Sequence, residues 1–326
     1  MKKRFLFFTA MILTGVLIFA AAAQAATVLR VSHTLDPASH YNRGLMYLDD
    51  LLQKRTNGEL KLDIYHSSQL ASERDAVEGV TQGILEMTLS STGPLTNFTK
   101  AFMIFDLPFI VHDRVKAYQW FDGPQGQKIL DSVQKQNMVG LSIWENGFRH
   151  LTNSKLPVVK PEDAKGLKIR LMENAVHLAT FRALDAYPTP MPFGELFTAM
   201  QQKTVDGQEN PLVIISTSKF YEVQKYLTLS GHFYSPAILL INKDVWEKLP
   251  PEQQKIMRES VAEARDWERK YSLEMDAKLV AELKEAGMEV AEPDKALWAK
   301  ALESVYKQFE ADIGKDVIES LINAQK

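Results

Sequence analysis

The chain has 326 residues, with 38 lysines and arginines against 41 aspartates and glutamates, and no cysteine. That excludes disulfides, thiolate metal sites and cysteine nucleophiles, and the lack of a basic block excludes an electrostatic nucleic-acid binder. A 45% hydrophobic composition supplies enough apolar surface for substantial cores, expected as two lobes.

Met1-Lys2-Lys3-Arg4 precedes an apolar run from Phe5 to Ala23, and Ala23-Gln24-Ala25 follows. A positive start, an apolar run and an A-x-A ending predict a secretory signal peptide cleaved after Ala25. An uncleaved anchor is the alternative, since the run is nearly long enough to span, but the A-x-A ending has no purpose in an anchor. Loss of Lys2, Lys3 and Arg4 leaves 35 basic against 41 acidic residues, a net charge of −6.

The mature chain begins with alternating strand and helix patterns. Thr27–Leu35 reads as a strand, Tyr41–Arg55 as a helix ended by Asn57-Gly58, and Leu60–Tyr65 as the next strand. Ser72 is placed to cap a helix with Glu73 and Asp75 in its first turn, ahead of a short strand at Leu85–Ser90. This β-α-β-α-β order predicts a mostly parallel sheet with covering helices. Phe102–Ile110 is too apolar for a surface loop and is expected to be buried.

Met138–Trp144 and Arg149–Asn153 are further strand candidates. The pattern restarts at Pro161, with a strand at 167–172, helices at 175–184 and 195–202, and a tight turn at Asp206-Gly207. Phe220–Leu229 and Tyr234–Ile241 read as strands returning to the first lobe. Pro250-Pro251-Glu252 then starts a helix running to about Gly287. Val261, Ala264, Trp267, Tyr271, Met275, Leu279 and Leu283 form one apolar stripe on it, which predicts a single helix packed along both lobes, with a coiled-coil dimer as the alternative. The lobes are expected as 26–147 with about 236–275, and 148–235 with about 276–326, a cleft lying between them.

Enzyme signatures are missing from the sequence. The seven histidines show no H-x-x-x-H or H-E-x-x-H spacing, and there is no G-x-S-x-G, Walker-A or G-x-G-x-x-G motif. What stands out is arginines and amides beside aromatic and proline-rich turns. Arg149 lies in "WENGFRHLTNS" and Arg170 in "GLKIRLMEN", where Leu167, Ile169 and Leu171 alternate with polar residues. Each is a surface strand residue on its own pattern. Two together near a lobe junction suit a carboxylate held in a cleft, because guanidinium forks bind carboxylates bidentately. In "PTPMPFGELFTAMQQKTVDGQENPL", Phe193 reads as a wall and Asn210 as an amide over a solute, or the run is an ordinary packed helix-turn-helix.

"GLKIRLMEN", this proline-rich run, "KFYEVQKYLTLSGH" and "SSQLASERDAV" closely resemble the solute-binding proteins of tripartite ATP-independent periplasmic (TRAP) transporters. The resemblance spans essentially the whole mature chain. It implies a two-lobe α/β periplasmic-binding-protein-like fold that closes on an organic acid and delivers it to a membrane permease. It implies no cofactor and no metal, a periplasmic location and a monomer. The carboxylate-gripping arginine of the family's G-L-K-[IL]-R strand corresponds to Arg170, and the second pocket arginine to Arg149. Phe193 matches the aromatic of the P-M-x-F turn, and Asn210 the amide of D-G-Q-E-N-P. Weaker correspondences are Glu73, Ser90 and Ser91 in the first lobe. His33, which matches no family position, either faces the cleft from the end of the first strand or packs beneath the neighbouring helix. The expected ligand is a hydroxylated sugar acid, a uronate or aldonate, with a C4-dicarboxylate as the alternative. A binding protein of an ATP-driven importer or an exported enzyme are the rival classes.

Overall fold

The computed structural model describes residues 26–326, so the signal-peptide expectation lies outside the described residues. Nine strands form a single sheet: β1 (Thr27–Ser32), β2 (Leu60–Tyr65), β3 (Met87–Ser91), β4 (Met138–Asn153), β5 (Lys168–Leu171), β6 (Tyr187–Pro190), β7 (Gly207–Pro211), β8 (Tyr226–Asn242) and β9 (Glu289–Ala291). Their order is β2-β1-β3-β8-β4-β7-β5-β6, with β9 also on β8. β1, β2 and β3 run parallel to one another, as do β5, β6 and β7. The two parallel sets are joined by the antiparallel pair β4 and β8, which crosses from one half to the other.

That pair corrects the reading of 138–153 and 226–242 as shorter strands. Each is one continuous strand, of 16 and 17 residues. The gap that divided 138–153 in sequence holds a register shift of the ladder, at Glu145/Gly147, and further shifts fall inside the candidates at Gly140/Ser142 and Arg149/Leu151. A bulge breaks the period-2 pattern without ending the strand. Gly147, at φ +125°, occupies one of them in a conformation that disfavours a side chain. Phe220–Glu222 is a 3-10 turn, so β8 begins only at Tyr226.

Local chemistry explains the helices that frame the cleft. Ser39 Oγ accepts from Asn42 N to start His40–Arg55, and Ser72 Oγ accepts from Asp75 N to start Glu73–Thr81. The first ends on Asn57 and Gly58, both left-handed, at φ 50° and 81°. The expected turn at Asp206-Gly207 is displaced. The chain reverses at Lys203 (φ 59°), and Asp206 instead locks β5, its carboxylate accepting from Lys168 N at 2.8 Å. Gly207 is needed for close pairing, since a Cβ there would sit 2.1 Å from the Thr152 carbonyl oxygen. The segment around Phe102–Ile110 is buried as anticipated, within the 3-10 helix Lys100–Asp106 and the turn after it.

The buried side chains fall into two clusters divided by the faces of the sheet. Along β8, Ile238 and Leu240 belong to one cluster, while Ala237, Leu239 and Ile241 belong to the other. Both cores therefore extend across the two halves of the chain. The long helix Pro251–Glu285 packs on one face, burying Val261, Ala264, Leu279 and Leu283 as the stripe predicts. In the middle, however, Trp267, Tyr271 and Met275 are only partly covered, and the buried positions are Glu268, Arg269 and Ser272. Glu268 Oε2 accepts from Glu145 N at 3.1 Å, and Arg269 Nη2 donates to the Ile143 carbonyl at 2.6 Å. These charged groups serve the crossing strand where its ladder is irregular.

Burial also sets a pH dependence. His33 is pushed down to about 4, and His40 and His150 to about 3, chiefly by burial. Each is neutral in the fold but protonates near pH 6.5 when unfolded, so stability falls as pH drops below about 6.5. Each contributes up to about 1.4 kcal/mol per pH unit over that window. Burial also raises the Glu145, Glu268 and Asp276 carboxyls, which opposes part of the loss. Thermal melts are expected to be nearly level from pH 7.5 to 6.5 and to fall by several degrees by pH 4.5. A Tm unchanged over that lower range would contradict the assignment.

Candidate functional site

The parallel strands of both halves direct their C-terminal ends at one buried cavity, the usual ligand position in open α/β sheets. Thr34 and Leu35 follow β1, Ser91 ends β3, Arg170 and Met172 end β5, and Asn210 lies near the end of β7. Asn146 and Arg149, on the irregular stretch of β4, also line it. An adjoining mouth is lined by Glu73, Arg170, Met191 and Phe193. Contacts between the halves close over it. Arg74 pairs with Glu173 at 3.2 Å, and Asn174 Nδ2 donates to Asp106 at 2.6 Å and to the Gly93 carbonyl at 3.0 Å.

The two arginines are held differently. Arg149 is fully buried, and its Nε and Nη2 fork onto the Glu209 carboxylate. Nη2 also donates to the Glu209 carbonyl at 2.6 Å and to Asn210 Oδ1 at 3.0 Å. His232 Nε2 lies 3.5 Å from the same carboxylate. Arg149 thus arrives neutralised. Arg170, 2% exposed, spends Nε and Nη2 on the Met191 carbonyl at 2.9 and 2.7 Å. Among the described residues no carboxylate pairs with it within 4.0 Å. Its guanidinium is lowered to about 10, by burial first and then by Arg149, so it remains charged at neutral pH.

Local sequence explains this placement. Lys168 and Arg170 share one face of β5, yet Lys168 lies at the exposed end and Arg170 beneath the turn that follows β6. Pro188, Pro190 and Pro192 keep that turn extended, which presents the Met191 carbonyl to the guanidinium. Phe193 follows with its ring centroid 5.9 Å from the Arg170 Cζ, within cation–π range. Glu73, in the first turn of its helix, accepts from Ser91 N at 2.8 Å and Ser91 Oγ at 3.1 Å.

The structure brings together Arg170, Arg149, Asn210, Phe193, Glu73 and Ser91 around the cavity. Two expected residues stay out. Ser90 alternates with Ser91 on β3 and faces away, its hydroxyl donating to the Ser91 carbonyl. His33 is committed on both ring nitrogens, to Asn42 Oδ1 at 3.2 Å and to Leu35 N at 3.3 Å, and only shapes the loop above. Sequence reasoning passed over Tyr41, Asn146 and Met172. Asn146 lies directly before Gly147, inside the irregularity, in the quoted "ENGFR", a signal that could have drawn it in.

Among the described residues no cluster of acids and histidines could hold a metal ion, and no helix is long and apolar enough to cross a membrane. Two α/β halves joined by crossing strands, closed over an uncompensated buried arginine, define a ligand receptor of the two-lobe binding-protein class. The chain belongs to the TRAP solute-binding proteins, matching the DctP family, described as bacterial extracellular solute-binding protein, family 7, over residues 31–312. This is a family of solute-binding proteins rather than enzymes. A solute-binding protein from Verminephrobacter eiseniae is 42% identical over 306 residues, covering 94% of this chain and 91% of its own. A TRAP periplasmic solute-binding protein from Polaromonas, solved with D-erythronate, superposes with a TM-score of 0.89 at 40% identity, covering 91% of this chain and 98% of its own. The sugar acid binding protein of Advenella mimigardefordensis, solved with galactonate, also gives 0.89, at 34% identity, with 92% and 98% coverage.

Proposed function

We propose that this chain is the extracytoplasmic receptor of a TRAP transporter for a hydroxylated sugar acid, which it delivers to the membrane permease subunits. The single observation that carries the reading is Arg170, a buried guanidinium without an acidic partner beside a closed cavity. A buried unpaired charge is costly, and a ligand carboxylate supplies what is missing. Arg149 is already neutralised by Glu209, which favours one carboxylate over two and sets the sugar acid ahead of the C4-dicarboxylate. Asn210, Glu73 and Ser91 read ligand hydroxyls, and Phe193 forms the wall beside the carboxylate. The erythronate and galactonate bound by its relatives fit this arrangement.

In this reading the lobes are 26–147 with about 236–275, and 148–235 with about 276–326. They hinge where β4 and β8 cross, and the ligand shifts the balance by binding the closed form better. The receptor acts as a monomer in the periplasm after cleavage behind Ala25. A thermal-shift screen of the mature chain against organic and sugar acids tests the substrate. At a hundredfold excess over Kd, an aldonate or uronate is expected to raise Tm by roughly 5 °C. Shifts confined to dicarboxylates would overturn the substrate, and consumption of the acid seen by mass spectrometry would overturn the receptor.

A further inference from the structure

Four polar atoms of cavity-lining residues are buried without a hydrogen-bond partner: Arg149 Nη1, Arg170 Nη1, Tyr41 Oη and Asn146 Oδ1. The two guanidinium nitrogens donate, and the tyrosine hydroxyl can do either. Only the Asn146 oxygen is restricted to accepting. Asn146 is 2% exposed, and its Nδ2 donates to Ser235 Oγ at 3.1 Å, leaving Oδ1 over. A carboxylate satisfies the arginines but has no proton for Asn146. Asn146 and Arg149 lie on the irregular stretch of β4 and line one cavity with Arg170. The missing donor belongs to the ligand, and a hydroxyl on the atom next to its carboxylate would supply it.

We infer that Asn146 is a specificity-determining residue that accepts a hydrogen bond from the 2-hydroxyl of the ligand, restricting this receptor to open-chain 2-hydroxy acids. The inference rests on the carboxylate-receptor reading and narrows it. In a pyranose uronate the carbon beside the carboxylate carries the ring oxygen, which has no proton to give. A 2-oxo acid fails for the same reason, and a 2-deoxy acid has nothing at that position. Each leaves Oδ1 buried and unpaired, the situation in which polar sites discriminate most strongly. An ammonium at the same carbon could also donate, but it would lie beside the uncompensated Arg170 charge. That repulsion selects the neutral hydroxyl.

Calorimetry on the mature chain with D-erythronate and 3,4-dihydroxybutanoate, its 2-deoxy counterpart, tests this directly. The wild type is expected to prefer erythronate by tenfold or more. In Asn146→Ala the preference collapses to within about threefold, through loss of erythronate affinity, while affinity for the 2-deoxy acid holds. That retained binding also shows the variant is folded. Should Asn146→Ala not fold, Asn146→Leu, closer in volume and without a polar atom, is read by the same ratio. A tenfold preference surviving in the folded variant overturns the inference and leaves the receptor reading standing. Equal wild-type affinity for the two acids does the same. A wild type that binds neither acid overturns the receptor reading and this inference with it, and an Arg170→Ala variant that binds erythronate normally overturns the Arg170 anchor and this inference.

Discussion

Arg170→Ala is expected to weaken binding of a sugar acid such as D-erythronate by roughly a hundredfold or more, on the scale of about 2–5 kcal/mol for a desolvated charge pair that loses one partner. The ligand carboxylate would then enter a closed cavity whose other arginine is already held by Glu209. Arg170→Lys is expected to recover little of the loss. An ammonium is a point charge, and it cannot hold the Met191 carbonyl with two nitrogens while presenting a third to the ligand. The same site predicts an opposite effect on stability. Arg170→Met removes an uncompensated buried cation, and its empty form is expected to melt at higher temperature than the wild type. Calorimetry and thermal melts on one set of variants check both. Unchanged affinity in Arg170→Ala would show that the carboxylate is held elsewhere.

Glu209→Gln is expected to destabilise the protein by about 3–5 kcal/mol, because it leaves Arg149 buried and unpaired. Burial alone would raise the Glu209 carboxyl, but the Arg149 charge, the His232 ring beside it and the Arg149 hydrogen bonds outweigh it. They hold the group well below the usual carboxylate range. A carboxyl depressed in the fold contributes stability above its ordinary value near pH 4.5 and loses it as pH falls below that. The deficit of Glu209→Gln is therefore full at pH 7 and shrinks in acid below about pH 4.5. Urea melts at pH 7 and 4 would show it. Replacing both partners, as Arg149→Met with Glu209→Leu, is expected to recover much of the stability, since the uncompensated charge goes with the pair. A double variant no more stable than Glu209→Gln would contradict that account.

Much of this was legible in the sequence, for reasons that can be named. Alternation marked β5, so Arg170 could be placed on a strand before its environment was known, although beyond Lys168 the strand is buried on both faces. The cap at Ser72 and the end at Asn57-Gly58 are local chemistry, and local chemistry survives in the fold. What could not be read was compensation between distant residues. Nothing in "NGFR" says that Glu209 neutralises Arg149, and nothing in the helix stripe says that Glu268 is buried against Glu145. Ser90 and Ser91 look equivalent in sequence, and only the pleat of β3 decides which one reaches the cavity. His33 was drawn in by its position after β1, but a nearby asparagine and a backbone amide occupy it. Asn146 was missed because an unpaired oxygen is a property of the assembled site.

The division of the cores by sheet face rather than by half of the chain limits how this receptor can be taken apart. A fragment cut between the halves would keep only part of each core and would sever both crossing strands. The freed lengths of β4 and β8 would then offer open ladders to any neighbouring copy. Chimaeras that exchange one half for that of a relative with a different ligand would have to match two interiors and two strand registers at once. Changing selectivity residue by residue around Asn146, Asn210 and Glu73 leaves those interiors intact. In this architecture recognition can be altered piecemeal, while the scaffold folds or fails as one unit.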